Sequence, residues 1–221
     1  MPAASCAPGF AGRLCLLAVA WTIALYGMAA RADEHATTRP GTVAQCAGAT
    51  VMLPTLRSLA HGEVAALHIP EASQHLPELA FESPKGEAVT LGQLGGKTRL
   101  VNIWATWCAP CRKEMPSLDR LQQQLGGGDF DVVVINTDLR DPSRQVRFLD
   151  EIGVKSLTRY ADPSARTFQI LKQTGRATTL PATVLVDHEG CELAFLSGSL
   201  EWDHPEAIAF IRAAIGERGA R

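Results

Sequence analysis

The sequence lacks an excess of charge of either sign. Its 221 residues include 21 Lys and Arg against 23 Asp and Glu, which gives a formal net charge of −2. A nucleic-acid-binding protein normally carries a clear basic excess, so the charge balance argues against that class. Internal repeats and long low-complexity segments are also missing. The chain therefore indicates one ordinary globular domain, with an additional segment at the N-terminal end.

The sequence also lacks the ligand spacing of a zinc protein. One C-x-x-C is present, at Cys108 and Cys111, but no second one accompanies it, and the histidines show no H-x₃₋₅-H spacing. A four-ligand zinc site needs such a second pair. We therefore expect no metal and no other cofactor. The histidines are His35, His61, His68, His75, His188 and His204.

One long run near the N-terminus contains no charged residue. It extends from Leu14 to Ala30 and is flanked by Arg13 and Arg31. Its length lies between a signal-peptide core and a minimal membrane span. We expect residues 14–30 to be an uncleaved anchor, with a cleaved signal as the alternative and a buried helix of the soluble fold as the least favoured interpretation. Either export interpretation places the domain outside the cytoplasm.

The six cysteines fall into three pairs: Cys6 and Cys15 in the leader, Cys108 and Cys111 in the C-x-x-C, and Cys46 and Cys191 far apart in the chain. We assign no function to Cys6 and Cys15. In an exported domain, two remaining thiols usually form a disulfide, and we expect one between Cys46 and Cys191. The alternative is two unrelated buried thiols.

Hydrophobic periodicity predicts a mixed sheet with helices on both faces, an α/β fold, with an N-terminal extension made of a helix and a β-hairpin. Two continuous apolar runs, Thr98–Trp104 and Phe130–Asn136, are typical of buried strands. Pro116 predicts a kink in its helix. The predicted helices are Ala47–Ala60, Arg112–Leu125, Ser143–Ile152, Pro163–Gln173 and Pro205–Ile215, and the predicted hairpins pair residues 79–82 with 88–91 and 182–186 with 193–196.

The C-x-x-C lies between a buried strand and a helix, which favours redox chemistry. At a helix N-terminus, the unsatisfied N–H groups and the helix dipole stabilise a thiolate and lower the pKa of Cys108. Pro110 suits the first helical turn, and the spacing brings Cys111 within reach of Cys108. Arg112 and Lys113 add positive charge, which Glu114 partly offsets. Cys108 is the predicted attacking thiolate and Cys111 the resolving thiol; a buried structural pair is the alternative.

The segment Trp104–Pro116 resembles the active-site segment of exported thioredoxin-like proteins of the TlpA and ResA type. Leu180–Thr183 is similar to the cis-proline loop of thioredoxin folds. The resemblance implies a thioredoxin fold in which Pro181 lies beside Cys108 and the Leu180 backbone offers a strand edge to a substrate peptide. We expect Trp107 to contact substrates and Trp104 to lie in the core.

Further segments resemble TlpA-type proteins in particular: His61–Leu67, Leu79–Glu82, Gly175–Ala177 and Gly190–Glu192. This likeness implies an anchor in the inner membrane, a domain on its periplasmic face and a second, structural disulfide joining Cys46 and Cys191. It also implies protein disulfides as substrates, in a copper-delivery protein and a copper-binding oxidase subunit, and a membrane dithiol as electron donor. The expected organisation is an anchor or signal over 1–32, a linker and helix over 33–75, and a thioredoxin-like domain over 76–221, in a monomer.

Asn102 departs from ordinary thioredoxin, which has a buried carboxylate at this strand position. An amide cannot act as a base for Cys111. Glu114 is a candidate proton acceptor, and water is another. The simplest interpretation of Asn102 is a hydrogen bond inside the core.

Other functions remain open on the sequence. Reduction of apocytochrome c is an alternative pathway for the same chemistry. Direct copper carriage is less favoured, because related copper-delivery proteins use C-x-x-x-C with a distant histidine. Peroxide reduction is disfavoured because Cys108 lacks the P-x-x-x-T-x-x-C context. The direction of electron flow does not follow from these residues, and the prediction of a reductant rests on resemblance.

Overall fold

The computed structural model describes residues 46–138 and 143–216. The anchor predicted at residues 14–30 lies outside these ranges, as do Cys6 and Cys15. Within the described ranges, none of the helices combines the length and apolar character that crossing a bilayer would require.

Five helices and seven strands occur in the described residues. The helices are α1 (Ala47–Leu59), α2 (Ala109–Leu125), α3 (Ser143–Glu151), α4 (Arg166–Gln173) and α5 (Pro205–Ile215). The strands are β1 (Ala80–Glu82), β2 (Ala88–Thr90), β3 (Thr98–Trp104), β4 (Phe130–Asn136), β5 (Thr158–Ala161), β6 (Ala182–Val186) and β7 (Glu192–Ser197).

The strands form one mixed sheet in the order β2-β1-β5-β4-β3-β6-β7. β4 pairs in parallel with β3 and β5, and the other neighbours are antiparallel. Every residue of β3 is buried, so its side chains alternate between two covered faces. Leu100 and Trp104 belong to one hydrophobic cluster, whereas Val101 and Ile103 belong to the other.

The two clusters lie on opposite faces of the sheet. The first takes apolar residues from four helices: Leu53 and Leu56 of α1, Leu118 and Leu121 of α2, Phe148 and Leu149 of α3, and Phe210 and Ile211 of α5. The second combines Leu171 of α4 with Leu79 and Phe81 at the hairpin. This arrangement confirms the predicted α/β architecture with both faces of the sheet covered.

The outer edge of β7 is covered by residues 68–76, which we call the edge segment. His68 and Phe195 exchange backbone hydrogen bonds of 2.8 and 2.9 Å. Farther along, Glu192 N–H donates to the Gln74 carbonyl at 2.9 Å. A strand edge that would otherwise expose unpaired backbone groups is thereby partly paired.

Two predicted helix boundaries were wrong, one strand was missed and one hairpin was misplaced. α2 begins at Ala109, three residues before the prediction, since the C-x-x-C itself forms the first turn. α4 begins at Arg166 rather than Pro163, because Ala165 before it is left-handed, with φ 52°. Strand β5 was missed because Thr158–Ala161 is short and partly polar. The hairpin expected in an N-terminal extension continues the main sheet, with Glu82 opposite Ala161.

Candidate active site at the Cys108–Cys111 pair

Cys108 caps the N-terminus of α2. Its backbone is extended, with φ −83° and ψ 104°, and its Sγ accepts a hydrogen bond from the Cys111 N–H at 3.3 Å. Pro110 lies in the first turn, where its missing N–H leaves no intrahelical bond unmade. The two cysteines are joined in a disulfide, with their Cα atoms 5.3 Å apart. The helix start that lowers a thiol pKa therefore holds the sulfur of Cys108.

The two sulfurs differ in exposure. Cys108 is 5% exposed, whereas Cys111 is fully buried. Trp107, directly before Cys108, is 66% exposed, which is unusual for so large an apolar side chain. An incoming thiol or disulfide therefore meets Cys108 first, beside an exposed indole.

The loop before Cys108 is held by the end of β4. The Trp104 carbonyl accepts hydrogen bonds from Thr137 N–H at 2.9 Å and from Thr137 Oγ1 at 3.1 Å. The Thr106 N–H donates to the buried Asp138 carboxylate at 3.2 Å. Sequence reasoning missed Thr137 and Asp138. The polar residues that follow strand β4 could have indicated these contacts, because the adjacent parallel strands β3 and β4 end at the same edge of the sheet.

Arg112, predicted to add positive charge near the cysteines, lies over an aromatic ring. Its guanidinium carbon is 4.6 Å from the centre of the Phe148 ring, a cation–π contact. Phe148 also packs on Trp104, with ring centres 5.9 Å apart. Trp104 is fully buried, as expected for a core residue.

A groove of about 550 Å³ opens at Cys108. None of its lining residues carries a charge: they are Trp107, Cys108, Ala109, Pro110, Thr137, Ala165, Phe168, Thr178, Thr179 and Leu180. The Leu180–Pro181 peptide bond is cis. The structure thus brings Trp107, Cys108 and Leu180 together around one uncharged groove, with Pro181 next to it in the chain.

Glu114 is a buried carboxylate on the same helix as the cysteines. It is 1% exposed, and its oxygens accept from Asn102 Nδ2 at 2.7 Å, from Leu200 N–H at 3.2 Å and from Trp202 Nε1 at 3.3 Å. Burial raises the pKa of Glu114 to about 7, against the opposing effect of these three donors. A carboxyl group with such a pKa can accept or release a proton near neutrality.

Asn102 lies between Glu114 and β6. Besides the bond to Glu114, its Nδ2 donates to Thr183 Oγ1 at 3.0 Å. The side chain is fully buried, in keeping with the expected hydrogen bond inside the core. An amide in this position donates to the nearby carboxylate and leaves Glu114 as the titratable group.

Cys46 and Cys191 form a second disulfide, at the other end of the sheet. Cys191 follows Val186, which pairs with Arg99 near the start of β3, whereas the C-x-x-C follows the end of β3. Cys46 precedes α1 and is its N-cap residue. Both cysteines are fully buried.

These observations first define a class: a thioredoxin-type α/β domain with a C-x-x-C disulfide at a helix start, beside a cis-proline loop. Residues 71–204 match the Redoxin family, which is more than half of the chain. The chain belongs to the Redoxin family, among its TlpA-like thiol-disulfide oxidoreductases with a C-x-x-C pair.

Three similar proteins illustrate the relationship. The thioredoxin-like protein YneN of Bacillus subtilis is 30% identical over 126 residues, which cover 54% of this chain and 68% of that protein. The thiol-disulfide oxidoreductase ResA of Halalkalibacterium halodurans is 26% identical over 119 residues, covering 54% of this chain and 64% of ResA. A crystal structure from Chlorobium tepidum, assigned as thiol:disulfide interchange protein DsbE, is 27% identical with a TM-score of 0.55, covering 64% of this chain and 96% of that one.

Proposed function

We propose that this protein is a dithiol reductant of disulfides in exported proteins, with Cys108 and Cys111 as the reacting pair. The observation that carries the proposal is the position of Cys108. It lies at a helix N-terminus, is the more exposed sulfur of the pair and opens onto an uncharged groove. A thiolate at such a position combines nucleophilicity with access to a polypeptide substrate.

The reaction begins with the protein in its dithiol form. The Cys108 thiolate attacks one sulfur of the substrate disulfide and releases the other as a thiolate, which takes a proton. Cys111 then loses its proton, attacks Cys108 Sγ and releases the second substrate thiol. Two electrons pass to the substrate, and the protein is left with the Cys108–Cys111 disulfide.

We assign Glu114 as the group that takes the proton from Cys111. It lies three residues after Cys111 on α2, a spacing that places two side chains on one face of a helix. Its raised pKa, about 7, suits proton transfer near neutral pH. Asn102 is then a positioning residue, since it donates to Glu114 Oε1 at 2.7 Å.

We assign substrate contact to Trp107, Leu180 and Pro181. Leu180 lines the groove, next to the cis peptide bond at Pro181, and an extended peptide would pair with its backbone as an added strand. Because the groove lining is uncharged, it favours an apolar side chain next to the substrate cysteine. Trp107 offers a large exposed contact surface beside that position.

For the pathway, we propose reduction of the copper-delivery protein and the copper-binding subunit of cytochrome oxidase on the periplasmic face of the inner membrane. A membrane dithiol protein is the proposed electron donor, and residues 14–30 are the proposed anchor. This part rests on the likeness of the active-site segment to TlpA-type proteins. Reduction of apocytochrome c is the second candidate, supported by the similarity to ResA.

Variants of the two active-site cysteines test the chemistry. Cys108→Ser is expected to abolish reduction of a protein disulfide, whereas Cys111→Ser is expected to retain the first step and accumulate a mixed disulfide. The measurement is reduction kinetics together with mass spectrometry under non-reducing conditions. Equal residual activity in both variants would contradict the assigned roles.

The trapped partner tests the pathway. Purified Cys111→Ser protein is offered an oxidised copper-delivery protein and a disulfide-bonded apocytochrome c in competition. Preferential capture of the copper-delivery protein supports copper-centre assembly, and preferential capture of apocytochrome c favours the second candidate.

The equilibrium redox potential of the Cys108–Cys111 pair, measured against glutathione, tests the direction of electron transfer, because a strongly oxidising pair would not act as a reductant.

A further inference from the structure

His75 lies against the buried disulfide. One of its imidazole nitrogens and the Sγ atoms of Cys46 and Cys191 all lie within 4.8 Å of one another. A second set shares Cys191, because carboxylate oxygens of Asp187 and Glu189 lie within 4.8 Å of its Sγ and of each other. The two sets share only Cys191, so the carboxylates of Asp187 and Glu189 lie beside the Cys191 sulfur.

The fold assembles this cluster from three distant parts of the chain. His75 belongs to the edge segment and forms a backbone bridge with Cys191. Cys46 comes from the start of α1. Asp187 and Glu189 belong to the turn before Cys191, where Asp187 Oδ1 accepts from the Glu189 and Cys191 N–H groups at 2.9 and 2.8 Å.

We propose that the thiol form of this pair, which the chain has before the disulfide forms, is a zinc-binding site. Its ligands are Cys46, Cys191 and His75. The carboxylates of Asp187 and Glu189, within 4.8 Å of the Cys191 sulfur, are the candidates for the fourth position after side-chain rotation. Thiolate, imidazole and carboxylate are the side-chain ligands that Zn²⁺ takes in proteins. This site is separate from the Cys108–Cys111 pair and does not depend on the function proposed for it.

The chemistry balances without an added reductant. Zn²⁺ binding releases two thiol protons to solvent and transfers no electrons. When a protein disulfide later oxidises the pair, two electrons pass to that oxidant, the two sulfurs bond to each other, and Zn²⁺ is released. Zinc binding and disulfide formation are therefore mutually exclusive states of Cys46 and Cys191.

The observed spacing needs little adjustment for a tetrahedral ion. With Zn–S bonds of about 2.3 Å and Zn–N bonds of about 2.0 Å, donor atoms lie roughly 3.5 Å apart. Separations of up to 4.8 Å are brought to that value by side-chain rotation and by the opening of the S–S bond. His75 is half-buried and lines a cavity of about 230 Å³ together with Asp187, Glu189 and Gly190, so the imidazole that lies within 4.8 Å of both buried sulfurs is accessible from that cavity.

The experiment uses the full chain with Cys6, Cys15, Cys108 and Cys111 each changed to Ser, so that Cys46 and Cys191 are its only cysteines. The protein is reduced with a phosphine, desalted without oxygen and titrated with Zn²⁺ against a chromophoric chelator. The expected result is one Zn²⁺ per reduced chain, and no tight binding by the same chain in its disulfide form.

Histidine variants identify the ligand. His75→Ala in this background is expected to weaken Zn²⁺ binding by at least about tenfold, since even residues that only support ligands contribute that much. His188→Ala is the matched control: His188 lines the same cavity but lies outside both donor sets, and its variant should bind like the parent. Equal affinity for His75→Ala and the parent, or no stoichiometric binding by the reduced chain, would overturn the proposal.

Cobalt replacement and circular dichroism distinguish the loss of a metal ligand in His75→Ala from a loss of folded structure. Co²⁺ should give thiolate charge-transfer and tetrahedral ligand-field bands in the reduced parent, with altered bands in His75→Ala. If the reduced chain loses structure without metal, Zn²⁺ at a concentration that saturates the parent but not His75→Ala should restore the native spectrum in the parent and less fully in His75→Ala. Equal restoration in both proteins would also overturn the proposal. Because Cys108 and Cys111 are absent from this background, failure here leaves the proposed exchange reaction unaffected.

Discussion

The two disulfides of this protein lie at opposite ends of one sheet and differ in almost every physical respect. Each pair includes the N-cap residue of a helix, but only the side chain of Cys108 accepts a hydrogen bond there. Cys108 and Cys111 are three residues apart in sequence, next to a groove and a titratable carboxyl group. Cys46 and Cys191 are 145 residues apart, and both are fully buried. The first closes a very short loop, whereas the second ties the start of α1 to the turn before β7.

The difference teaches that a cysteine pair takes its character from its surroundings. An adjoining groove, a sulfur that caps its helix and a nearby titratable carboxyl group favour thiol exchange at one end of the sheet. Burial and a long enclosed loop favour stability at the other. Variants that alter one pair or its neighbours separate these contributions.

The largest effect is expected from removing the buried disulfide. Cys46→Ser/Cys191→Ser should lower the free energy of unfolding by about 5 kcal/mol on the chain-entropy model, against about 2 kcal/mol for the short loop of Cys108→Ser/Cys111→Ser. Urea unfolding of both double variants measures this difference. At urea concentrations below its unfolding transition, Cys46→Ser/Cys191→Ser should still reduce protein disulfides. Equal losses of stability in the two double variants would contradict the assignment of a mainly structural role to the Cys46–Cys191 disulfide.

The next effect concerns Glu114 and pH. Burial raises its pKa to about 7, so the native state holds a proton that the unfolded chain, with the ordinary value of 4.5, releases. The stabilisation from this group is complete below pH 4.5 and is lost as the pH rises to about 7, on the order of 3 kcal/mol in total. Glu114→Gln should remove that slope from the unfolding free energy.

Glu151→Gln, at an exposed position on α3, is the control and should keep the slope. The same pair of variants reports on the reaction. Glu114→Gln should lose the rise in reduction rate near pH 7, whereas Glu151→Gln should follow the parent. An unchanged rate profile in Glu114→Gln would remove Glu114 as the proton acceptor.

A third variant restores the carboxylate that ordinary thioredoxin has in this strand. In Asn102→Asp, the new carboxylate faces Glu114, and two ionised groups at that distance repel each other. We expect a loss of stability on the order of 2 kcal/mol at pH 8 and a smaller loss at pH 5. Asn102→Leu, which removes the hydrogen bonds without adding charge, should also lose more stability at pH 8 than at pH 5, because Asn102 stabilises ionised Glu114, but by a smaller difference than Asn102→Asp.

The smallest effect on stability is expected at Trp107. This side chain is 66% exposed, so Trp107→Ala should change the unfolding free energy by less than about 0.5 kcal/mol. It should nevertheless raise KM for a protein disulfide severalfold while leaving the reduction of a small aromatic disulfide unchanged. Val51→Ala, at another exposed apolar position, should change neither value. A stability loss without a change in KM would assign Trp107 a structural role.

The reactive pair could be predicted from sequence because its features are local. A buried strand, the C-x-x-C and a helix follow one another directly, and the structure has them in that order as β3 and α2. The cis bond at Pro181 was implied by resemblance to a family, and the structure contains it. Glu114 was a candidate proton acceptor only because it lies close to Cys111 in the sequence.

Contacts between distant segments could not be predicted. The environment that raises the pKa of Glu114 depends on Leu200 and Trp202, more than 80 residues away, whose hydrogen bonds no local pattern encodes. The neighbours of Cys191 pose the same difficulty, because His75 reaches it only through the pairing of the edge segment. Strand β5 was missed since its four residues owe their conformation to β4 rather than to their own apolar pattern.

The edge segment limits how this protein can associate with other chains. A sheet with a bare outer strand recruits any extended polypeptide, including further copies of itself. Here the β7 side is occupied by the chain's own residues, and the opposite border is β2, only three residues long. An extended polypeptide therefore finds little unpaired strand edge at either side of the described sheet. Under the proposed function, the Leu180 backbone lining the groove at Cys108 is where an extended substrate would pair, which would couple recognition of a polypeptide to the position of the reactive sulfur.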